Sequence, residues 1–454
     1  MMLSIIILAA GKGTRMHSML PKVLQPLAGR PLLEHVINTS RLLDPDEVCI
    51  VYGFSGEKIQ KQFRANTDLL WAYQKEQLGT GHAVKQATKL ISPSNKVLIL
   101  YGDVPLIDAT TLKTLMSEHQ NNEISLLTAI LPSGTGYGRI IRCDNAVQAI
   151  IEESDASEIE RNIKEINTGI MYCDASQLDG WLNRLNNNNA KGEYYLTDII
   201  EMATNDGTKI NGIQANKWEE VMGINDKKEL ANAERFMQRE LAEKLMAQGV
   251  SLADPNRLDI RGKLTCGTDV FIDVNTIFEG NVVLGSNVSI GPNNIIKNTE
   301  IHDDSRVHAN CHIEGAFIGK HSEIGPYARL RPGANLSDNV KVGNFVEIKK
   351  STVDRGSKIN HLSYIGDAKI GRAVNVGAGT ITCNYDGVNK YTTEIKDGAF
   401  IGSGVELVAP VIVGKDATIG AGSTISKDAP EDSLTLERSK QMTNEKWLRP
   451  KKDL

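Results

Sequence analysis

Residues 317–348 read FIGKHSEIGPYARLRPGANLSDNVKVGNFVEI, and an aliphatic residue returns at every sixth position: Ile318, Ile324, Leu330, Leu336, Val342 and Ile348. The same spacing runs through Ile272, Phe278, Leu284, Ile290 and Ile296, and again through Ile401, Leu407, Val413, Ile419 and Ile425. Glycine and other small residues dominate the intervals. An amphipathic helix repeats at 3.6 residues and a half-buried strand at two. A period of six puts each apolar residue at the same point of a repeated flat face. Three faces close a triangular coil, and stacked coils line their interior with aliphatic ladders. No coil buries its face alone, so the stack is the unit of stability. Residues 250–454 are therefore expected to form an all-β parallel β-helix with a C-terminal tail. An aromatic content of 5% suits an interior filled by stacked Ile and Val.

Residues 1–225 follow a different pattern. Apolar runs such as SIIILAAG, EVCIVYG, KVLILYGDVPL and ISLLTAIL alternate with helical stretches such as PLLEHVINTSRLL and DATTLKTLMSEHQ. Strand–helix alternation implies right-handed crossovers and a mainly parallel sheet covered on both faces, an α/β domain of Rossmann-like type. Ligands of such sheets sit at the carboxyl ends of strands, where Gly11–Arg15 and Tyr101–Asp103 fall. Between the two halves, residues 226–249 are polar, alanine-rich and free of proline. Asp226 can cap the start of a long linking helix, Gly249 can end it, and Leu230, Phe236, Leu241 and Leu245 give a partial apolar stripe.

Bulk properties narrow the function. A length of 454 residues points to two or three domains. A net charge of −5 offers no broad basic surface for nucleic acid. Six dispersed cysteines without a C-x-x-C pair argue against a zinc site and a disulfide scaffold. The apolar start has no basic leader, and no stretch has the length and apolarity to span a bilayer. The expectation is a cytoplasmic protein without a membrane partner.

The stretch LAAGKGTRM, residues 8–16, pairs glycines with Lys12 and Arg15 as a phosphate-holding loop would. Its spacing matches neither the dinucleotide fingerprint nor the Walker loop. Extended to LAAGKGTRMHSMLPK, it resembles the L-x-x-G-x-G-T-R-M…P-K signature of the sugar-1-phosphate nucleotidyltransferases. QKEQLGTGHA, YGDVPL, GYGRI, EINTG and GIND follow in that family's order. The hexads resemble the hexapeptide acyltransferases, whose β-helix is left-handed and usually trimeric, and RLRPG, NFVEIKK, HLSYIGDA, NVGAGTITCNYDG and LER fit them. Together the motifs resemble the bacterial family joining an N-acetylglucosamine-1-phosphate uridyltransferase to a glucosamine-1-phosphate acetyltransferase.

That resemblance implies synthesis of UDP-N-acetylglucosamine, a precursor of peptidoglycan and lipopolysaccharide. Acetyl-coenzyme A would acetylate glucosamine 1-phosphate. UTP would then transfer its uridylyl group to N-acetylglucosamine 1-phosphate, releasing pyrophosphate. In the second reaction two anions must approach, so the site must neutralise charge and align reactants. Backbone amides of Leu8, Ala9, Ala10 and Gly11, near a helix start, would hold phosphates, with Arg15 and Lys22 stabilising the leaving group. Tyr101, Gly102 and Asp103 would line the site, and Asp103 and Asn225 would bind Mg2+, a cation suited to oxygen donors. Gln74, Gly79 and Thr80 would read uracil; Gly138, Glu152 and Asn167 would contact the sugar.

For acetyl transfer, His361 would be the base, since imidazole titrates near neutrality. Arg331, Lys349 and Tyr364 would hold the sugar phosphate, and Asn375 and Asn384 would orient the sugar or the reacting amide. Residues 383–398 break the hexad as an extruded loop would, offering Tyr385 as a contact across a homotrimer. Ala378, Ser403, Ala421 and Arg438 would contact acetyl-coenzyme A. Two rival readings are a single-activity pyrophosphorylase with a non-catalytic, oligomerising β-helix, and a non-enzymatic trimeric scaffold.

Overall fold

A computed structural model describes all residues except Met1, Phe54, Asn121, Asp144, Asn145, Lys451, Asp453 and Leu454. The chain divides into two compact units, Met1–Met237 and Gln238–Leu454.

The first unit is built on strands β1 (Leu3–Ala9), β2 (Glu47–Tyr52), β3 (Leu69–Tyr73), β4 (Lys96–Tyr101), β5 (Glu123–Ile130), β6 (Arg139–Cys143), β7 (Ala146–Ile151), β8 (Glu165–Asp174) and β9 (Lys209–Gln214). The sheet order is β9-β5-β8-β4-β1-β2-β3, with the β6–β7 hairpin joined to β8. Every residue of β1 is buried. Ile5 and Ile7 enter one apolar cluster, Ile6 and Leu8 another, as expected of a strand covered on both sides. The sheet is mainly parallel, but β8 runs antiparallel to β4 and β5. The chain reaches β8 from the β6–β7 hairpin without a crossover, so it enters in the opposite direction. A register shift interrupts β8 between Asn167 and Met171, the kind of bulge that re-aims side chains beside a site.

A helix, α1 (Lys227–Ala247), spans 21 residues. Asp226 Oδ1 caps it by accepting the Glu229 amide at 2.8 Å, and Gly249 at φ +94° follows its end. The buried positions differ from the apolar stripe expected. Ala233, Gln238, Ala242 and Leu245 are buried, whereas Leu230, Phe236 and Leu241 are only half-buried. Small alanines permit close approach. The Gln238 amide is satisfied on both sides, donating to Ile260 C=O at 2.8 Å and accepting from Ile260 N–H at 2.7 Å.

The second unit is the three-sided parallel β-helix. One face stacks Ile272, Ile290, Val307, Ile324, Val342, Ile359, Val376, Ile401 and Ile419 inward. A second stacks Phe278, Ile296, Ile313, Leu330, Ile348 and Ile365, and a third Leu284, Ile301, Ile318, Leu336, Val353 and Ile370. The six-residue phase slips by one at this corner in several coils, between Ile296 and Ile301, Ile313 and Ile318, Ile365 and Ile370, and again between Ile348 and Val353. Ser351 bridges that shortened corner, accepting the Ala368 amide at 3.0 Å and donating to Lys349 C=O at 2.8 Å. The extruded segment is shorter than the hexad break implies. Cys383 pairs with Val408, and Thr393–Ile395 rejoins the ladder against Ala368–Ile370. Re-entry follows from apolar Ile395, which is buried.

Ile348, fully buried between Leu330 and Ile365, tests the ladder. Ile348→Ala is expected to destabilise this unit by about 3 kcal/mol, read as a lower denaturant midpoint for loss of β-sheet circular dichroism.

Candidate active sites

In the first unit, the carboxyl ends of β1 and β4 lie side by side, Leu8 opposite Tyr101, with Gly102 N–H donating to Leu8 C=O at 2.9 Å. Beyond them lies a cavity of about 470 Å³. Leu8, Ala9, Ala10, Gly11, Lys22, Gln74, Gly79, Thr80, Tyr101 and Asp103 line it, together with Lys12, Gln77 and Glu193. No α-helix starts after the glycine loop. A 3₁₀ turn, Thr14–Met16, follows instead, and Pro21 precedes a second, Lys22–Leu24. Gly13 at φ +59° turns the chain, and a Cβ there would lie 2.6 Å from Lys22 Cβ, so the glycine lets the loop close on Lys22. Arg15 sits exposed on the first turn, outside the cavity wall.

Lys22 Nζ pairs with the Asp103 carboxylate and donates to Asn225 Oδ1 at 3.2 Å. Asn225 arrives there because Ile224 N–H donates to Asp103 C=O at 2.9 Å, while Glu229 holds the Asn225 amide at 2.6 Å. Two oxygen donors from distant segments thus converge on one positive charge. This donor set fits a hard cation.

Gly138, Glu152 and Asn167 also come together. Asn167 N–H donates to Gly138 C=O at 2.8 Å, and Glu152 Oε1 lies 3.6 Å from where a Gly138 Cβ would stand. Burial pushes the Glu152 carboxyl above the usual range, against a hydrogen bond from Thr197. The neighbouring Asp198 is raised to about 6 by burial and by Glu152. Glu152 borders a second cavity of about 390 Å³.

In the β-helix, strand register organises the sequence-derived residues into columns. On the outside of one face, Arg331 precedes Lys349 and Gly366 in successive coils, beside Glu347 and Tyr364. Arg331 pairs with Glu347 at 2.8 Å and Lys349 with Asp367 at 3.4 Å. Asp367 also accepts from buried Asn384. The Lys349 ammonium holds the facing Lys390 below the usual lysine range. Tyr385 is exposed at the start of the extruded loop, where it bridges to Lys390.

The adjacent corner forms another column. Val342, Ile359, Val376, Ile401 and Ile419 are in register, so the positions two residues onward, Asn344, His361, Ala378, Ser403 and Ala421, also follow one another. Backbone bonds tie them: Leu362 N–H to Asn344 C=O, Gly404 N–H to Ala378 C=O, and Gly422 N–H to Ser403 C=O. Arg438 closes the series beside Gly420 and Gly422. His361 is exposed, its Nδ1 donating to Asn344 Oδ1 at 3.1 Å. Asn375 stands half-buried on the face that leads into this corner, in register with Lys358.

Two stretches of the chain match known families. Residues 5–159 match the MobA-like NTP transferase domain, and residues 392–427 match the bacterial transferase hexapeptide (six repeats). Bifunctional protein GlmU of Nitrosospira multiformis is 54% identical over 453 residues, covering 99% of this chain and 98% of that protein. Bifunctional protein GlmU of Nitrosomonas eutropha is 53% identical, with 99% of each chain covered. The chain belongs to the GlmU family. It is a bifunctional enzyme of UDP-N-acetylglucosamine synthesis, a nucleotidyltransferase joined to an acetyltransferase on a left-handed β-helix.

Within this GlmU-family chain several site neighbours escaped the motif reading. Asn344 precedes His361 by one coil, a relation visible only once coil length is known. Asp367, inside HLSYIGDA, joins Lys349 to Asn384. Arg139, inside GYGRI, is buried and pairs with Glu153 at 2.7 Å, and the Tyr137 hydroxyl accepts the Gly223 amide at 3.3 Å. Glu193 reaches the cavity from a segment without a recognised motif. Gly79, at φ +115° with Tyr194 C=O where a Cβ would stand 2.5 Å away, has no room for a side chain. Gly79→Ala is expected to cost about 1–3 kcal/mol of local strain and to raise KM for UTP, measured by pyrophosphate release.

Proposed function

We propose that the first cavity performs uridylyl transfer and the β-helix corner performs acetyl transfer, with no shared catalytic group. In uridylyl transfer a phosphate oxygen of N-acetylglucosamine 1-phosphate forms a bond to the α-phosphorus of UTP. The bond to the bridging oxygen breaks and pyrophosphate leaves. Amides of Leu8, Ala9, Ala10 and Gly11 hold phosphate oxygens, and Lys22 offsets charge on the leaving group. Gln74, Gly79 and Thr80 read the base. Tyr101 and Gly102 carry Asp103 to the cavity, while Gly138, Glu152 and Asn167 hold the acceptor sugar. Arg15 serves from the exposed turn. Asp103 and Asn225 would hold Mg2+, which supplies positive charge to the triphosphate when bound.

In acetyl transfer His361 Nε2 takes a proton from the amine of glucosamine 1-phosphate as its nitrogen bonds to the thioester carbon. The carbon–sulfur bond breaks and coenzyme A leaves. Arg331, Lys349 and Tyr364 bind the sugar phosphate; Asn375, Asn384 and Tyr385 orient the acceptor. The small-residue column Ala378, Ser403 and Ala421 lets the pantetheine arm lie close to the wall, and Arg438 meets its phosphates. A cytoplasmic homotrimer is the working assembly. No described helix is long and apolar enough to cross a membrane.

The observation that carries the acetyl half is the column running from His361 to Arg438. The test supplies glucosamine 1-phosphate, acetyl-coenzyme A, UTP and Mg2+ and follows thiol and pyrophosphate separately. Chelation of divalent cations is expected to stop pyrophosphate release and leave thiol release unchanged. Loss of both signals on chelation would overturn the separation of the sites.

A further inference from the structure

Thr197 precedes the helix Asp198–Asn205 yet does not cap it with its side chain. A threonine at that place ordinarily accepts an amide of the first helical turn. Here the amides of Asp198, Ile199 and Ile200 already donate to the carbonyls of Tyr195, Leu196 and Thr197. The hydroxyl instead donates to Glu152 Oε1 at 3.0 Å. Thr197 is only 6% exposed, so the donor is buried while the acceptor Glu152 stands at the edge of the second cavity.

The segment leading to Thr197 is anchored to the stretch 78–81. Tyr194 N–H donates to Leu78 C=O at 2.8 Å, and Gly81 N–H donates to Tyr194 C=O at 2.9 Å. Leu196 N–H donates to Thr80 Oγ1 at 3.0 Å. One strap of four residues therefore connects 78–81, the proposed base-reading stretch, with the carboxylate facing Gly138.

We propose that Thr197 is a positioning residue for uridylyl transfer: it fixes the Glu152 carboxylate toward the acceptor sugar, and the 194–197 strap ties that placement to the base-reading segment. This rests on the reading of Glu152 as a sugar contact. Lys191, Asp155, Glu193 and Asp198 are the other charged groups acting on or beside Glu152. Among its neighbours the Thr197 hydroxyl is the hydrogen bond that favours the ionised form.

The test uses the full chain and the uridylyl-transfer assay. Thr197→Val removes the donor at nearly constant volume. It is expected to raise KM for N-acetylglucosamine 1-phosphate about tenfold, as loss of a hydrogen bond to a charged group does. KM for UTP is expected to stay within about twofold. The acidic limb of sugar KM against pH should move to higher pH, because a carboxylate without its donor binds its proton more tightly. Thr197→Ser is expected to restore both. Glu152→Gln should raise the same KM, and in a Glu152→Ala background, which leaves no acceptor for the hydroxyl, Thr197→Val should have little further effect. If Glu152→Gln raises sugar KM but Thr197→Val does not, the positioning role is wrong. Independent, multiplying effects would overturn it equally. If Glu152→Gln leaves sugar KM unchanged, the placement of Glu152 at the sugar fails, and the proposal fails with it.

Discussion

Replacing Asp103 with alanine is expected to lower uridylyl transfer about 1,000-fold, the scale on which one preorganised charged group at a reacting phosphate acts, while acetyl transfer continues at the wild-type rate. The selectivity follows from how the site is built. The side chain of Asp103 meets Lys22, and Lys22 also meets Asn225. The Asp103 main-chain carbonyl, which the variant keeps, receives Ile224 N–H and so carries the 223–225 loop. Alanine therefore leaves Asn225 in position and removes one of the two convergent oxygens together with its charge. Lys22 loses its counter-ion, so its charge is no longer directed. Asp103→Asn retains an oxygen but no charge and should fall between the two, about 100-fold down. Pyrophosphate release, thiol release and the melting curve on one preparation separate the outcomes. A folded Asp103→Ala variant that loses both activities alike, or keeps uridylyl transfer, would contradict two separate sites with Asp103 at one of them.

The β-helix was legible because its periodicity is local: each inward residue is specified by neighbours six positions away. What periodicity alone could not resolve was coil length. A single residue fewer between Ile348 and Val353, bridged by the Ser351 hydroxyl, changes which outward residues stack. For that reason His361 could be recognised by its motif while its partner Asn344 could not. The extruded loop was overestimated because polar Thr393 and Glu394 hide a strand that only Ile395 anchors.

In the first unit, apolar runs marked the strands correctly, since strands covered on both faces need no alternation. The antiparallel entry of β8 left no such mark, because strand direction depends on the route of the preceding hairpin. The glycine loop looked like the approach to a helix, but Gly13 and Pro21 divide the following residues into short 3₁₀ turns. The cavity itself draws on segments near residues 10, 22, 77, 102 and 193. Motifs located the first four, and the 193–197 segment, with no glycine or charge pattern of its own, became visible only by contact.

Replacing His361 with alanine should produce the mirror image of the Asp103 result. Acetyl transfer is expected to fall about 10²–10⁴-fold, the range for a positioned general base, with pyrophosphate release from supplied N-acetylglucosamine 1-phosphate unaffected. One contact sets the proton inventory of the imidazole. With Asn344 Oδ1 as the acceptor, the 3.1 Å contact with His361 Nδ1 places the hydrogen on Nδ1. Nε2 then keeps its lone pair for the amine proton, on an exposed corner that leads along Ala378, Ser403 and Ala421. Asn344→Ala leaves the ring free to rotate and to exchange tautomers, so a smaller loss of about tenfold is expected there. In the His361→Ala background the same Asn344 substitution should cost nothing more, because its effect passes through the imidazole. A folded His361→Ala protein with normal thiol release near pH 7 would remove the base from this mechanism. Additive losses from the two substitutions would instead detach Asn344 from it.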